Sequence, residues 1–178
     1  LGSNLPISSP FSISVWYNRA SSSEPNGVIL RNGQFSWQFS SSSVYGSVNT
    51  VGSGWIFSDI AGLTSVGTWE HDAIIWNGSE VVAYRNGLAG TSIATTGAIG
   101  YGDSDNRLYA GSWYGHGTWQ TWGAIDEARV YNQVLTQQEL ISLKDFNHIT
   151  IPEPSLLAYY AIACIIFFRK RNFLRLTA

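Results

Sequence analysis

The chain has 178 residues and a formal charge of −2, yet Arg169, Lys170, Arg171 and Arg175 all lie near its C-terminus, so residues 1–153 hold six basic residues against all twelve acidic ones. Phosphate backbones are bound by clustered Lys and Arg, so this balance excludes nucleic acid as a partner. The only cysteine, Cys164, sits in an apolar C-terminal stretch, which leaves the preceding part with neither a disulfide nor a thiolate metal site; about 150 residues are enough for one domain with its own core.

In chain order, the sequence opens Leu1-Gly2-Ser3 with no methionine and no charged start or hydrophobic region of a secretory signal. The expectation is a longer protein whose leader, and a first strand, lie upstream of Leu1. From Ser12 to Tyr131 the hydrophobic pattern has period two, as half-buried strands require. Phe11, Ile13, Val15 and Tyr17 share one side, with Ser12, Ser14 and Trp16 on the other, and Phe35, Trp37 and Phe39 repeat the alternation after the turn Arg31-Asn32-Gly33. Ser21 to Gly27 and Ser40 to Ser43 have loop or edge composition.

The clearest hairpin places Asn77-Gly78 between Ala73-Ile74-Ile75-Trp76 and Val81-Val82-Ala83-Tyr84, because Asn-Gly accepts the positive φ values of a tight turn. That turn explains Asn77-Gly78-Ser79 better than glycosylation does. Farther on, Ile125, Glu127, Arg129 and Tyr131 alternate with Asp126, Ala128 and Val130 in one more strand. Thr136 and Glu139 then form a capping box, with Leu135 and Leu140 as its hydrophobic staple, and predict a helix from about Gln137 to Leu143. Many short strands with regular turns indicate an antiparallel two-sheet sandwich, in which alternate residues of both layers fill one core.

The stretches Phe11-Ser12-Ile13-Ser14-Val15-Trp16, Gly67-Thr68-Trp69-Glu70-His71-Asp72-Ala73, Val82-Ala83-Tyr84-Arg85-Asn86-Gly87, Leu108-Tyr109-Ala110-Gly111 and Trp122-Gly123-Ala124-Ile125-Asp126-Glu127-Ala128-Arg129-Val130-Tyr131 follow one another in a familiar order. In these stretches the chain resembles the LamG-like (concanavalin A-like) jelly-roll domains of bacterial surface proteins. Two departures stand out: Asp72 replaces a small apolar residue, with the expectation that it perturbs the strand of His71, and the first strand is missing or cut at Leu1. The resemblance implies that Trp122 fills a core position and that Asp126 bonds backbone near the helix. Trp69 and His71 are expected to be packing residues.

Some enzymes of this fold hydrolyse glycans with two carboxylates pointing into one groove. The one close acidic pair assigned to a strand here is Asp126-Glu127, and strand neighbours face opposite ways, so no catalytic residue is assigned. His71, His116 and His148 are scattered, no serine stands in a nucleophile elbow, and no phosphate loop or dinucleotide fingerprint occurs. Asp103, Asp105 and Asn106 offer oxygen ligands that suit calcium, and the same residues suit a solvated turn of Asx type; no other cofactor is implied. The richest surface candidate is the Gly-rich stretch from Gly111 to Trp122. There Trp113, Tyr114, His116 and Trp119 either form a platform that stacks on sugar rings or cover the core.

The end of the chain differs. Pro152-Glu153-Pro154 precedes thirteen uncharged residues, Leu156 to Phe168, and then Arg169-Lys170-Arg171. Thirteen helical residues cover only about 20 Å, short of a bilayer core of about 30 Å, but the basic cluster suits the head groups of a cytoplasmic leaflet. These residues resemble the PEP-CTERM sorting signal of Gram-negative bacteria. The resemblance implies recognition by an exosortase-type membrane protease, cleavage near the triplet and delivery to the cell surface or matrix. A plain C-terminal membrane anchor is the alternative, and the residues Asn172 to Ala178 depart from the signal's usual end.

The sequence therefore predicts an all-β chain: an antiparallel two-sheet jelly-roll sandwich of concanavalin A-like type over residues 1–145, with one short C-terminal helix. A linker with the Pro-Glu-Pro motif (146–155), a separate hydrophobic tail helix with its basic stop (156–171) and a cytoplasmic tail (172–178) follow. The expected function is that of an exported, non-catalytic binding or adhesion module of the cell envelope, surface or matrix, with extracellular polysaccharide or surface proteins as partners. The alternative is an accessory or catalytic domain of a polysaccharide-degrading enzyme whose active residues lie upstream of Leu1.

Overall fold

The computed structural model describes residues 10–21, 27–40, 42–62, 65–100, 107–112 and 120–146. All but Phe146 belong to the first of two units into which the chain divides, Leu1–Asp145; the second is Phe146–Ala178. The long strands are β1 (Phe11–Arg19), β2 (Gly27–Arg31), β3 (Phe35–Phe39), β4 (Ser43–Thr50), β5 (Gly54–Ala61), β6 (Trp69–Trp76) and β7 (Glu80–Arg85). The two-residue β8 (Leu88–Ala89), β9 (Ile93–Ala94) and β10 (Tyr109–Ala110) follow, then the long β11 (Gly123–Tyr131) and the helix α1 (Gln137–Phe146). They pair into two antiparallel sheets. One runs β11-β1-β6-β7-β8 with β9 also on β7, the other β10-β2-β3-β4-β5.

The alternation read from the sequence decides which residues meet between the sheets. Phe11, Ile13, Val15 and Tyr17 of β1, with Ile74 and Trp76 of β6, pack against Phe35, Trp37, Phe39, Val44 and Val48 of the other sheet. Each large apolar side chain removed from water in this way contributes roughly 1.5–3 kcal/mol. Where two bulky rows would collide the sequence supplies Gly46: a Cβ there would lie 2.5 Å from Ile74 Cγ1 and 2.6 Å from Trp37 Cζ3. The strand of His71 and Asp72 is regular, pairing residue by residue with β1 from Phe11↔Trp76 to Asn18↔Trp69, so Asp72 does not perturb it.

The outer face of the six-stranded sheet is closed by α1. Leu135 and Leu140 pack on Ala73 and Ile75, with Tyr84, Tyr131 and Leu143 around them. The capping box forms as expected: Glu139 N–H donates to Thr136 Oγ1 at 3.2 Å and Thr136 N–H to Glu139 Oε2 at 2.7 Å. Ser12 Oγ fixes the entry to the helix by accepting the Leu135 N–H at 2.8 Å and donating to the Gln133 carbonyl at 2.8 Å. The helix continues to Phe146, past the expected end at Leu143. No Gly or Pro interrupts it there, and Lys144 in the last turn complements the negative end of the helix dipole.

Two turns differ from their sequence reading in an instructive way. In the β6–β7 hairpin only Gly78, at φ 97°, has a positive φ. Asn77 instead works through its side chain, whose Oδ1 accepts the N–H groups of Ser79 and Glu80 at 2.9 and 3.0 Å. The Asn-Gly pair with both residues at positive φ is Asn86-Gly87, at 52° and 81°, between β7 and β8, the combination a two-residue reverse turn requires.

The alternation expected along Ile125 to Tyr131 is also broken. Pairing with β1 shifts between Ser14 and Trp16, so that Trp16 faces Asp126 but Ser14 faces Arg129. The extra residue is a β-bulge with Glu127 at φ 50°, and a bulge reverses the face on which later side chains fall. Ile125 therefore packs on the core between the sheets, whereas Tyr131 joins the layer under the helix. Asp126 does bond backbone, but at the bulge: its Oδ1 accepts the Glu127 N–H at 2.8 Å.

Candidate functional site

The aromatic stretch after Gly111 is anchored at both ends. Gly111 N–H donates to Ile29 O of β2 at 3.0 Å, Thr121 N–H closes back onto Gly111 O at 2.9 Å, and Trp122 O accepts the Ala20 N–H at 2.8 Å. The chain thus leaves the five-stranded sheet and enters the six-stranded one at the same end of the sandwich. Trp113, Tyr114, His116 and Trp119 lie between these anchors and outside the described residues, as do the calcium candidates Asp103, Asp105 and Asn106 and the sorting residues Pro152, Glu153, Pro154, Arg169, Lys170 and Arg171. Among the described residues no group of three His, Cys, Asp or Glu side chains is placed to hold a metal ion, and no helix is long and apolar enough to cross a membrane.

At this end the structure exposes tryptophans that the sequence reading placed inside. Trp122 is 58% exposed and Trp69 42%, with Val66 at 48%; Trp122 is therefore not a core residue, and Trp69 packs with only part of its ring. The reason is positional. Trp69 is the first residue of β6 and Trp122 directly precedes β11, away from Ala73 and Ile75, on which Leu140 of the helix packs.

The register places them around the end of β1: Trp69 pairs with Asn18 on one side, while Ala124 pairs with Asn18 and Gly123 with Arg19 on the other. Trp69 shares the outer face with Asn18 by strand alternation, and Trp122 stands directly before Gly123, the first residue of β11. β1 lies between β6 and the strand entered by Trp122, so the two positions are two strand spacings apart across the sheet, with Trp122 beside Ala20 and Trp69 beside Asn18. Asn18, half-buried, is the polar group between them. The signal for this arrangement was present in the sequence: Trp69 falls on the strand face opposite Ile74 and Trp76.

Behind these residues the surface is closed. Trp16 is buried on the same face and its ring centroid lies 5.4 Å from that of His71. Burial, and then the positive charges of Arg129 and Lys144, push the His71 pKa down to about 4. The imidazole is therefore neutral at physiological pH, a packing group as expected.

The i, i+2 carboxylate pair that would share a strand face is Glu70 and Asp72, which the sequence reading passed over in favour of Asp126-Glu127. Both point into the sandwich. Asp72 is wholly buried and Glu70 9% exposed. Arg85 Nε lies 2.7 Å from Glu70 Oε2 and 3.4 Å from Asp72 Oδ1, and Trp37 Nε1 donates to Asp72 Oδ2 at 3.2 Å. Burial, and to a smaller extent the charge of Glu70, raises the Asp72 pKa to about 7 against the opposing pull of Arg85 and the Trp37 hydrogen bond. A polymer chain has no access to such a pair, so its geometry suits structure rather than glycosidic cleavage.

The outer face of the five-stranded sheet carries a second aromatic group. Arg31 reaches over the small Ser36 and Ser47, its partners along one cross-strand row, to place its guanidinium 4.8 Å from the Trp55 ring. Tyr45 meets Phe57 edge-on at 5.7 Å and donates from its hydroxyl to Gln38 Oε1 at 3.4 Å. Ser36, Ser47, Gln38 and Arg31 are all buried, whereas Phe57 is 49% exposed, so this face too presents an aromatic ring to solvent.

A family model described as the concanavalin A-like lectin/glucanases superfamily matches residues 2–141. No curated protein matches the chain. Among solved structures, the Ruminococcus gnavus IT-sialidase CBM40 bound to alpha2,3 sialyllactose is similar with a TM-score of 0.61 and 18% identity, over 75% of this chain and 82% of that one. The Ruminococcus gnavus IT-sialidase CBM40 also appears in a second structure at a TM-score of 0.60 and 18% identity, with coverage of 75% and 82%. A point mutant of HCR/D gives a TM-score of 0.64 at 13% identity, over 84% of this chain but 40% of that one. At these identities the likeness is one of fold.

Proposed function

The chain belongs to the concanavalin A-like lectin/glucanases superfamily, and from that premise we propose that it is a non-catalytic glycan-binding module displayed on the bacterial cell surface or in its matrix. The observation that carries this reading is the pair of exposed tryptophans, Trp69 at the start of β6 and Trp122 just before β11, on the two sides of the end of β1 where Asn18 stands. Indole faces stack on the apolar faces of sugar rings, and an amide between them can bond hydroxyls and fix orientation. The base of the Gly111 to Trp122 stretch adjoins the pair, so Trp113, Tyr114, His116 and Trp119 are proposed to extend the same platform. Similarity of fold to a sialidase's carbohydrate-binding module bound to alpha2,3 sialyllactose supports the reading. The burial of Glu70 and Asp72 supports binding over hydrolysis.

The sorting tail completes the proposal. Pro152-Glu153-Pro154, the apolar run and Arg169-Lys170-Arg171 direct the chain to the membrane, where an exosortase-type protease cleaves near the triplet and releases the sandwich to the surface or matrix. A glycan array probed with the full chain in detergent tests the binding reading. Retention of a subset of glycans, lost in Trp69→Ala and Trp122→Ala, is expected; an array blank for the folded parent overturns it.

A further inference from the structure

Trp69 and Trp122 flank β1 at different heights. Trp69 pairs with Asn18, whereas the Trp122 carbonyl accepts the Ala20 N–H at 2.8 Å, one step past the Arg19↔Gly123 pair of the β1–β11 ladder. Two strand spacings across the sheet and two residues along it put the two Cα positions roughly 12 Å apart. A single sugar ring is too small to touch both indoles from such positions.

The floor between them is low. Ala20, Gly67, Gly123 and Ala124 are all exposed, and none of them rises above the backbone by more than a methyl group. Gly67 is held against β1 by its own N–H, which donates to the Arg19 carbonyl at 2.8 Å. Asn18, half-buried, supplies an amide to this floor. Methyl groups and bare backbone do not close around the end of a ligand; they let it run on past both rings. The charges also matter. Toward the helix, Arg129 is paired with Glu127, and Lys144 Nζ lies 3.3 Å from Asp145 Oδ1, so each cation already has its anion. Residues 1–153 hold six basic residues against twelve acidic ones, and an anionic polymer approaches against that field.

We infer that the Trp69–Trp122 platform takes an internal stretch of an extended, uncharged polysaccharide that crosses β1, with one ring on each indole and the intervening part over Asn18, rather than the end of a glycan chain. This rests on the glycan-binding function proposed above and adds to it the length and the charge of the ligand. A ligand that reaches both positions needs about three linked rings. Once one ring has stacked, the second contact is made within the same molecule, so length is rewarded without any new kind of contact.

The test is an array of graded oligosaccharides, from single sugars to long oligomers of neutral glucans, mannans, xylans and galactans, printed beside sialosides and oligouronates. It is probed with the full chain in a detergent that has no sugar head group. Neutral oligomers are expected to be retained from about three rings upward, at least tenfold more strongly than the single sugar of the same series. In Trp69→Ala and in Trp122→Ala alike, the advantage of length should vanish. Single sugars held as strongly as long oligomers, a preference for sialosides or uronates, or a length dependence that survives the loss of either indole would each overturn the inference while leaving glycan binding in place. Should an alanine variant fail to fold, the length profile of the parent decides alone. An array blank for the folded parent refutes the binding function itself, and this inference with it.

Discussion

The indole N–H of Trp37 on β3 reaches across the interior to Asp72 Oδ2 on β6, 3.2 Å away. Packed sheets stand about 10 Å apart, so a donor must be long to cross. Tryptophan carries its N–H at the end of a large apolar body, which fills the core while satisfying Asp72 Oδ2; the other oxygen, Oδ1, accepts from Arg85 Nε at 3.4 Å. The bond explains how a charged residue type occupies a position that elsewhere in this layer belongs to Ile74 and Trp76. It also marks Asp72 as the point where stability should depend on pH.

The sign follows from linkage. Asp72 has its pKa raised from 3.8 to about 7 in the folded state, so the folded protein holds a proton that the unfolded chain releases. Its favourable contribution is complete below the unfolded value and is lost as pH rises through about 7. The thermal midpoint is expected to fall between mildly acid and mildly alkaline buffer, and Asp72→Asn should flatten that fall, since an amide still accepts from Trp37 without ionising. Calorimetry at a series of pH values checks it; an unchanged slope in the variant assigns the dependence elsewhere.

Removing the cation should cost more than removing a surface pair. Arg85→Ala leaves Glu70 and Asp72 facing each other without their counter-charge, and breaking a buried pair in this way typically costs about 3–5 kcal/mol. Urea denaturation of the variant beside the parent measures it. A loss below about 1 kcal/mol, the range of exposed pairs, would mean that solvent already serves these carboxylates.

Much of the fold was legible in the sequence, because alternation is a local property: Phe11 to Tyr17, Phe35 to Phe39 and the capping box at Thr136 and Glu139 behave as their spacing dictates. What escaped were features that local pattern does not encode. The bulge at Glu127 reverses the face of Arg129 and Tyr131, and one extra residue leaves no mark on an alternating string. Glu70 and Asp72 have the i, i+2 spacing of a groove-lining pair, and only the second sheet, with Trp37 and Phe39, turns that groove into an interior. Trp122 was placed in the core by resemblance, whereas it is 58% exposed where the chain enters β11. The platform residues Trp113, Tyr114, His116 and Trp119 were legible only as a composition.

Gly46 tests the closeness of the two sheets. Its absent side chain admits Ile74 and Trp37, with 2.5 and 2.6 Å to the nearest atoms from where a Cβ would sit. Gly46→Ala is expected to lower stability by about 1–3 kcal/mol, as inserted methyl groups do in packed cores. Thermal melting gives the value, and a neutral result would show that the Trp37 ring shifts freely.

The tail reading predicts processing. A chain tagged after Ala178 and exported from a Gram-negative host with an exosortase should reach the surface without its tag. Mass spectrometry of surface material is expected to find no Arg169-Lys170-Arg171. An intact basic terminus on the displayed protein would establish the plain anchor instead.

The tryptophans separate binding from folding. Trp69 and Trp122 are 42% and 58% exposed, whereas Trp76 is 1% exposed and packs on Phe11. Truncating a half-exposed indole forfeits only part of the buried area that an enclosed ring supplies, so Trp69→Ala and Trp122→Ala should lower the thermal midpoint far less than loss of a core tryptophan does. Each should nonetheless weaken glycan retention tenfold or so, about 1.4 kcal/mol of stacking. Trp76→Ala removes a fully enclosed aromatic and should cost about 3–5 kcal/mol of stability, a large part of what a domain of this size possesses. Melting curves and array binding on the same three proteins discriminate the roles. If Trp69→Ala and Trp122→Ala unfold as readily as Trp76→Ala, the two indoles are structural. If both bind every array glycan as the parent does, the platform lies elsewhere on the sandwich.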